Sequence, residues 1–181
     1  MLEKAKTKIT KQYPRYFEPV TVWQAISNLP EPTENGIVHN LFPENDYQEF
    51  LGNDGTTFNH VSSHHSATAI ARMIQVGIDE NYTVLNEQIN SVHSGSYGRL
   101  NPEGIAPTIT TRFDTPSGGK FIHPYANRTI TPREAARIQS FPDSFEFSGN
   151  KTIICRQIGN AVPPLLSIAL AKEVEKALKD L

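Results

Sequence analysis

The final helix that the sequence predicts carries an apolar stripe that little else in the chain could cover. It follows two prolines at positions 163 and 164. The stripe consists of Leu166, Leu170, Val174, Ala177 or Leu178, and Leu181. This spacing places the side chains on one face of a helix. Residues 30–57 read as an acidic loop and offer few apolar partners, so we expect the helix to pack against a larger body.

Length and charge exclude several classes of protein. A chain of 181 residues suits one domain or two small lobes. Its 17 Lys and Arg against 19 Asp and Glu exclude a polybasic binder that relies on bulk positive charge. Thirteen Pro and eleven Gly indicate many turns, whereas nine Phe and six Tyr argue against disorder throughout.

Cysteine content and hydropathy predict a soluble cytoplasmic protein. Cys155 is the single cysteine, so no internal disulfide can form, which fits a reducing compartment. We find no signal peptide and no apolar run near the roughly 18 residues of a membrane span. We therefore expect no membrane partner.

Positive charge is distributed unevenly along the chain. Five Lys or Arg residues lie in the first fifteen positions, and no Lys or Arg lies between residues 16 and 71. Residues 99–156 include eight Lys or Arg and five Asp or Glu. If any part binds a polyanion, it is the N-terminal tail or the C-terminal half; the alternative is that these are ordinary solvated charges.

Two helices are predicted before residue 80. The first begins after Thr21, which forms a capping box with Gln24, and Pro30 limits its end. The second starts near Ser63 and stops before Gly77. Its predicted apolar face consists of Ala67, Ile70, Ala71 and Ile74.

Residues 82–124 show a period of two, which predicts a hairpin. One face of residues 108–113 carries Ile109 and Phe113. The other face carries Thr108, Thr110 and Arg112. A Pro-Ser-Gly-Gly turn at 116–119 would lead to a return strand over residues 120–123.

A short helix follows Thr131. Thr131 and Glu134 form a second capping box, and Pro132 suits the first helical position. The Phe-Pro-Asp sequence at 141–143 ends this helix.

Three histidines, His60, His64 and His65, raise the question of a metal site. His60 and His64 stand four residues apart. No cysteine or second acidic cluster stands near them in sequence, so we expect surface or capping histidines and no metal.

Two segments of the C-terminal half resemble a known family. Residues 128–143 read RTITPREAARIQSFPD, and residues 157–165 read QIGNAVPPL. Together they resemble, in order and separation, the ninth and tenth motifs of the DNA (cytosine-5) methyltransferases. Residues 96–100, 107–110 and 123–124 resemble that family's target-recognition region, and residues 23–30 resemble the helix that leads into it.

The resemblance implies a mixed α/β fold, the C-terminal part of such an enzyme. It implies a small β-containing recognition lobe, a short helix, and a C-terminal helix that belongs to a Rossmann-like catalytic lobe. The implied boundaries are 1–36 for a basic tail and leading helix, 37–127 for the target-recognition domain, and 128–181 for the two terminal motifs.

The family's catalytic motifs do not occur in this sequence. The family's reaction adds a cysteine thiolate from a Pro-Cys-Gln loop to cytosine, with a glutamate from a Glu-Asn-Val motif assisting. Neither motif is present, nor is the Phe-x-Gly-x-Gly cofactor loop. Cys155 lies outside these motifs, so we expect an inert thiol and no catalytic residue in this chain.

The resemblance assigns site residues of three kinds. The implied DNA contacts are Ser96, Tyr97, Arg99, Thr108, Ile109, Thr110 and Arg112. The implied bracing residues of the ninth motif are Arg128, Arg133, Glu134, Arg137 and Gln139. The implied edge of the S-adenosyl-L-methionine pocket consists of Asn160, Ala161 and Val162. The alternatives are an ordinary polar strand face at 108–112, a structural ion pair at Arg99, and a helix cap at Asn160.

We therefore expect the DNA-recognition part or subunit of a cytosine-5 methyltransferase of bacterial or phage type, as in restriction-modification systems. Double-stranded DNA is its expected partner, together with a larger subunit that carries the catalytic cysteine. The alternatives are a non-catalytic DNA-binding remnant and a truncated fragment of a full-length enzyme.

Overall fold

Helices dominate the fold, and the strands are short. The structure, a computed structural model, describes residues 19–52, 55–87, 89 and 94–179. Six helices are α1 Val22–Ile26, α2 Asp46–Leu51, α3 Ala67–Gln75, α4 Pro132–Ile138, α5 Lys151–Asn160 and α6 Pro164–Lys179. Strands β1 Val38–His39 and β2 Thr56–Thr57 pair antiparallel, and single 3-10 turns cover Tyr82–Val84 and Pro116–Gly118.

Both predicted capping boxes are confirmed. At α1, the Thr21 hydroxyl accepts from the Gln24 amide at 3.2 Å, and the Thr21 amide donates to the Gln24 side chain at 2.9 Å. At α4, the Thr131 amide donates to the Glu134 carboxylate at 2.7 Å. Pro132 is the first residue of α4, as predicted. These caps satisfy backbone donors that a helix start leaves unpaired.

The main core forms where α4 packs between α1 and α5. Residues 132–137 of α4 are all buried. Around them lie Val22 and Ile26 of α1 and Ile154 and Ile158 of α5. Buried apolar side chains of the connecting loops complete this core: Leu100, Ile109, Phe113, Phe121, Ile130, Phe141 and Phe147. A smaller cluster of Met73, Val76, Leu85, Tyr97 and Ile122 lies under α3.

The prediction for α3 was wrong in its start and in its buried face. The helix begins at Ala67 with Ser66 as its cap, rather than near Ser63. Ile70 and Ile74 are 39% and 62% exposed, whereas Met73 is fully buried. The helix lies on the surface and contacts the small core along a narrow line through Met73 and Val76, so the wider apolar face stays outside.

The predicted hairpin was wrong, although its side-chain alternation is confirmed. Ile109 and Phe113 are buried, while Thr108, Thr110 and Arg112 are exposed. The chain turns over residues 111–114 instead of continuing as a strand, and the Thr115 amide donates to the Arg112 carbonyl. Ile122 forms bridges to Arg99 and Thr129, so residues 120–123 pair with other segments.

Helix α5 was missed, and its position corrects the reading of residues 159–162. Asn150 caps it by accepting from the Ile153 amide at 3.0 Å. Gly159 and Asn160 are its last residues, and residues 161–163 connect it to α6. Asn160 therefore does not cap the final helix. The signal was available in Asn150 followed by apolar residues at 154 and 158.

Helix α6 confirms the predicted final helix, and the apolar stripe of this helix is exposed to solvent. Leu166, Leu170, Val174 and Leu178 are 50–65% exposed. By length and composition alone, the joined helices over 151–179 include one candidate for a membrane span, which the sequence prediction did not anticipate. The break at 161–163 divides that candidate into two shorter helices. No described residue of α6 is buried.

Candidate nucleic-acid interface

Residues 108–112 form an exposed polar segment beside the main core. Thr108, Thr110 and Arg112 all face solvent. The Arg112 amide donates to the Thr110 hydroxyl at 3.3 Å, and the Arg112 guanidinium reaches the Thr115 hydroxyl at 3.4 Å. Two hydroxyls and one guanidinium therefore share one surface, a set of donors that suits phosphate oxygens.

This 108–112 segment is fixed from below. Ile109 and Phe113 are 6% and 0% exposed and anchor it in the main core. Gly159 of α5 lies against its backbone, because a Cβ there would come within 2.5 Å of the Thr111 nitrogen. Only a residue without a side chain allows that approach. The exposed side chains thus stand on a rigid support.

A tight turn at residues 96–98 holds the loop that follows the 108–112 segment. The Ser96 hydroxyl donates to the Ser117 carbonyl at 2.9 Å, and the Tyr97 amide donates to the Pro116 carbonyl at 2.6 Å. Tyr97 adopts a left-handed backbone with φ of 51°. Ser96 and Tyr97 are buried, so the two predicted DNA contacts lie beneath the surface and support it.

Arg99 is a buried scaffold residue rather than a surface cation. Its five N–H groups donate to four backbone carbonyls and one side-chain amide: Val76, His123, Ala126 and Met73 carbonyls, and Asn127 Oδ1. These bonds use the whole donor capacity of a guanidinium. The expected contact of Arg99 with a phosphate therefore has no free donor. The alternative of an ion pair was also wrong, because its partners are neutral oxygens.

The expectation of a bracing role for α4 is supported by its hydrogen bonds. Arg137 forms a two-pronged pair with Asp143 at 2.7 and 2.6 Å and also donates to Asn28. Arg133 donates to the carbonyls of Phe58, Pro142 and Phe145. Both arginines are at most 1% exposed. They hold three separate loops, around residues 28, 58 and 142–145, against one short helix.

A second charge cluster joins α4 to the loop before it. Arg128 donates to both carboxylate oxygens of Glu134 at 2.8 Å. Burial acts to raise the pKa of Glu134, but the Arg128 hydrogen bonds and charge outweigh burial and lower that pKa to about 2. Gln139, at the C-terminal end of α4, donates to the Ile158 carbonyl of α5. All five residues assigned to the ninth motif therefore serve as structural connections.

His123 lies beside this cluster as a neutral imidazole. Its Nδ1 accepts from the amides of Tyr125 and Ala126 at 3.2 and 3.0 Å. Burial lowers the pKa of His123 to about 4, and the nearby Glu134 opposes that shift only in part. Trp23 packs edge-on against both His123 and Tyr125.

The histidines near residue 60 take three different positions. His60 is fully buried and contacts the Thr131 hydroxyl at 3.0 Å and the Pro30 carbonyl at 2.7 Å. Of the two positions expected for these histidines, surface or capping, the surface position is wrong for His60. His65 contacts Thr129, and His64 is exposed. Within the described ranges, no group of three or more His, Cys, Asp or Glu is arranged to hold a metal ion.

Cys155 lies in an environment that disfavours its thiolate form. Its side chain is 1% exposed and belongs to the main core. Burial, reinforced by the negative charge of Asp114, raises the pKa of Cys155 to about 12. A thiol with that pKa carries almost no thiolate at neutral pH, so it cannot act as a nucleophile.

A groove of about 360 Å³ runs beside the α5–α6 connection. Its walls come from α1, residues 105–109, the end of α4 and the α5–α6 connection, including Ala161. Asn160 and Val162 are exposed next to it. These residues offer an amide and an apolar side chain on an open edge. They stand at one open edge and do not enclose a pocket.

The buried histidines make folding stability dependent on pH. His123 titrates near 4 in the folded chain and near 6.5 when unfolded, so its stabilising effect is present above about pH 6.5 and decreases toward pH 4. Burial also lowers the pKa of His60 and His65. We expect the free energy of unfolding, measured with urea, to fall between pH 7.5 and pH 5.5, by about 1 kcal/mol for His123 alone.

In His123→Asn, whose carbonyl can still accept the two amides, this pH dependence should shrink. His64→Gln is the matched control, because His64 is exposed and makes none of the contacts of His123, so the contribution of His123 should remain. Glu134 does not confuse the comparison, since its lowered pKa affects stability only below about pH 4.5. An identical pH dependence in the wild type and His123→Asn would contradict the neutral buried imidazole.

Comparison with known proteins agrees with this architecture. The family described as C-5 cytosine-specific DNA methylase matches residues 4–176. The type II methyltransferase M.DdeI of Desulfomicrobium norvegicum is 34% identical over 87% of this chain and 43% of its own length. DNA (cytosine-5)-methyltransferase 4 of Arabidopsis thaliana is 33% identical over 90% of this chain and 13% of its own length.

A solved structure shows the same relationship in three dimensions. A crystal structure described as a DNA modification methyltransferase encoded within an E. coli prophage superposes with a TM-score of 0.67 and 26% identity. The match covers 91% of this chain and 49% of that protein. The fold is thus part of an α/β methyltransferase, and the chain spans less than half the length of these relatives. With nearly its whole length matched, this chain belongs to the C-5 cytosine-specific DNA methylase family.

Proposed function

We propose that this chain is the DNA-recognition part of a cytosine-5 methyltransferase and that it contacts double-stranded DNA through the 108–112 segment. The observation that carries the proposal is the exposure of Thr108, Thr110 and Arg112 on a segment anchored by Ile109 and Phe113. In this family an enzyme must hold DNA while its target base leaves the stack. A rigid row of phosphate donors suits that task.

The proposed contact set is smaller than the one the sequence suggested. Ser96, Tyr97, Arg99 and Ile109 are buried, and we assign them to supporting the surface rather than to touching DNA. The net charge of −2 gives no bulk attraction to DNA. Binding should therefore depend on a few local contacts.

We further propose that the methyl-transfer chemistry is supplied by another polypeptide or another part of the enzyme. The 181 residues include no Pro-Cys-Gln and no Glu-Asn-Val sequence. Cys155 cannot replace the missing nucleophile, because its pKa is about 12 and it is buried. The recognition part then positions DNA, and its partner provides the cysteine and the glutamate.

The open stripe of α6 is the proposed docking surface for that partner. Leu166, Leu170, Val174 and Leu178 are at least half exposed. Because 50–65% of each residue is exposed, covering all four contributes about 3–8 kcal/mol before ordering costs, at about 1.5–3 kcal/mol for a whole side chain. Lost rotational and translational freedom offsets part of that gain.

Asn160, Ala161 and Val162 are the proposed contribution of this chain to an S-adenosyl-L-methionine site. When bound, that cofactor supplies the methyl group. The Asn160 amide would hydrogen-bond a polar group of the cofactor, and Val162 would cover an apolar part. Both side chains are exposed at one edge of the groove, so most of the pocket would come from the catalytic part.

Arg112→Ala should weaken DNA binding and its dependence on salt. Each phosphate contact that is lost lowers the magnitude of the log K against log salt slope by about 0.9. We expect this change when the purified chain is titrated with a fluorescent duplex at several salt concentrations. Lys176→Ala, an exposed cation on α6, is the control and should leave the slope unchanged. An unaltered slope in Arg112→Ala would remove the 108–112 segment from the interface.

The chain alone should transfer no methyl group from labelled cofactor to DNA. Adding a protein of this family that carries the Pro-Cys-Gln and Glu-Asn-Val motifs but lacks the recognition part should restore transfer. Leu170→Asp with Val174→Asp should abolish both co-purification and transfer, because it places two charges in the docking stripe. Cys155→Ser should retain transfer in the complex.

Three results would contradict this account of catalysis. Transfer by the chain alone that Cys155→Ser eliminates would make Cys155 the nucleophile. Full co-purification of the double aspartate variant would exclude α6 as the docking surface. DNA binding without restored transfer, when the family member that carries the missing motifs is added, would favour a non-catalytic DNA-binding remnant.

A further inference from the structure

Helix α5 runs beside the 108–112 segment, and this places one further cation next to the proposed DNA surface. Gly159 contacts the Thr110–Thr111 backbone, as a Cβ there would lie 2.6 Å from the Thr110 carbonyl oxygen. Cys155 and Lys151 lie one and two turns earlier, and the negative charge of Asp114 acts to raise the pKa of each. Gly159 marks the contact, and positions 151, 155 and 159, one turn apart, form a row along α5 that we call the contact line.

Helix geometry puts Arg156 on the solvent side of this contact line. Successive residues of an α-helix are about 100° apart, so Arg156 lies about 60° from Gly159 around the helix axis. The buried side, marked by Ile154 and Ile158, lies in the opposite direction. Arg156 thus projects from the edge of α5 that borders the 108–112 segment.

Charge pairing separates Arg156 from most other cations of the chain. Among the described residues between 19 and 171, Arg112 and Arg156 are the two cations that are exposed and form no ion pair. Lys120 pairs with Asp79, and Arg72 pairs with Glu87. One of these two cations therefore stands in the 108–112 segment and the other on the helix that touches it.

We propose that Arg156 is a second phosphate-contacting residue, which binds the DNA backbone beside the site of Arg112. The inference rests on the proposed function, because it extends the same surface onto α5. A guanidinium makes strong charge-assisted bonds to phosphate and retains its charge at any physiological pH. The hydroxyls of Thr108 and Thr110 would then lie along a surface that carries a cation on each of two neighbouring elements.

The experiment measures the salt dependence of duplex binding for the full chain and a set of variants. The probe is a fluorescent double-stranded DNA that contains cytosine. Arg156→Ala should lower the magnitude of the log–log slope by about 0.9, and Arg112→Ala with Arg156→Ala should lower it by about 1.8. Arg156→Lys should keep the wild-type slope, because it keeps the charge. Lys176→Ala is the control for a distant exposed cation.

The outcomes distinguish this inference from the function on which it rests. A reduced slope in Arg112→Ala with an unchanged slope in Arg156→Ala overturns the inference and leaves the proposed function standing. Unchanged slopes in both overturn both. Equal losses in Arg156→Lys and Arg156→Ala also overturn it, since the effect would then not depend on charge. Circular dichroism checks folding, which an exposed Arg→Ala change in a helix should preserve.

Discussion

The paired and fully hydrogen-bonded arginines of α4 are the interaction on which the rest of the structure depends. Arg137 and Asp143 form a buried two-pronged ion pair, and each guanidinium nitrogen of Arg133 donates to a carbonyl, one at Phe58 and two in the loop after α4. Such groups are expensive to bury, and removing one partner of a buried pair costs about 3–5 kcal/mol. These buried groups fix the positions of the loops around α4, which have little secondary structure of their own, against one seven-residue helix.

Two contacts connect α4 to the proposed DNA surface. Gln139 at the end of α4 donates to the Ile158 carbonyl of α5. The next residue of α5, Gly159, lies against the backbone of the 108–112 segment. The segment therefore needs no strand partner to hold its register. Its exposed side chains are placed by a helix contact from one side and by Ile109 and Phe113 from below.

The features that could be predicted from the sequence are those that depend on residues close together in the chain. The capping boxes at Thr21 and Thr131 and the alternation of 108–113 could be seen there, because caps and side-chain periods involve residues a few positions apart. The hairpin was wrong because the choice of partner for Ile122 depends on residues 99 and 129, far along the chain. The role of Arg99 was equally inaccessible, since the sequence does not show that its donors meet carbonyls from two segments, residues 73–76 and 123–126. The family resemblance supplied the site, and the structure separated its surface residues from its supporting ones.

Hydrogen–deuterium exchange of the full chain with and without duplex DNA tests the central claim most directly. If residues 108–112 contact DNA, peptides that cover 107–113 and the exposed edge of α5 should exchange more slowly when DNA is present. Peptides of α3 and α6 should be unaffected, because neither helix borders the proposed surface. Slower exchange confined to α3 or α6, with no change over 107–113, would contradict the account.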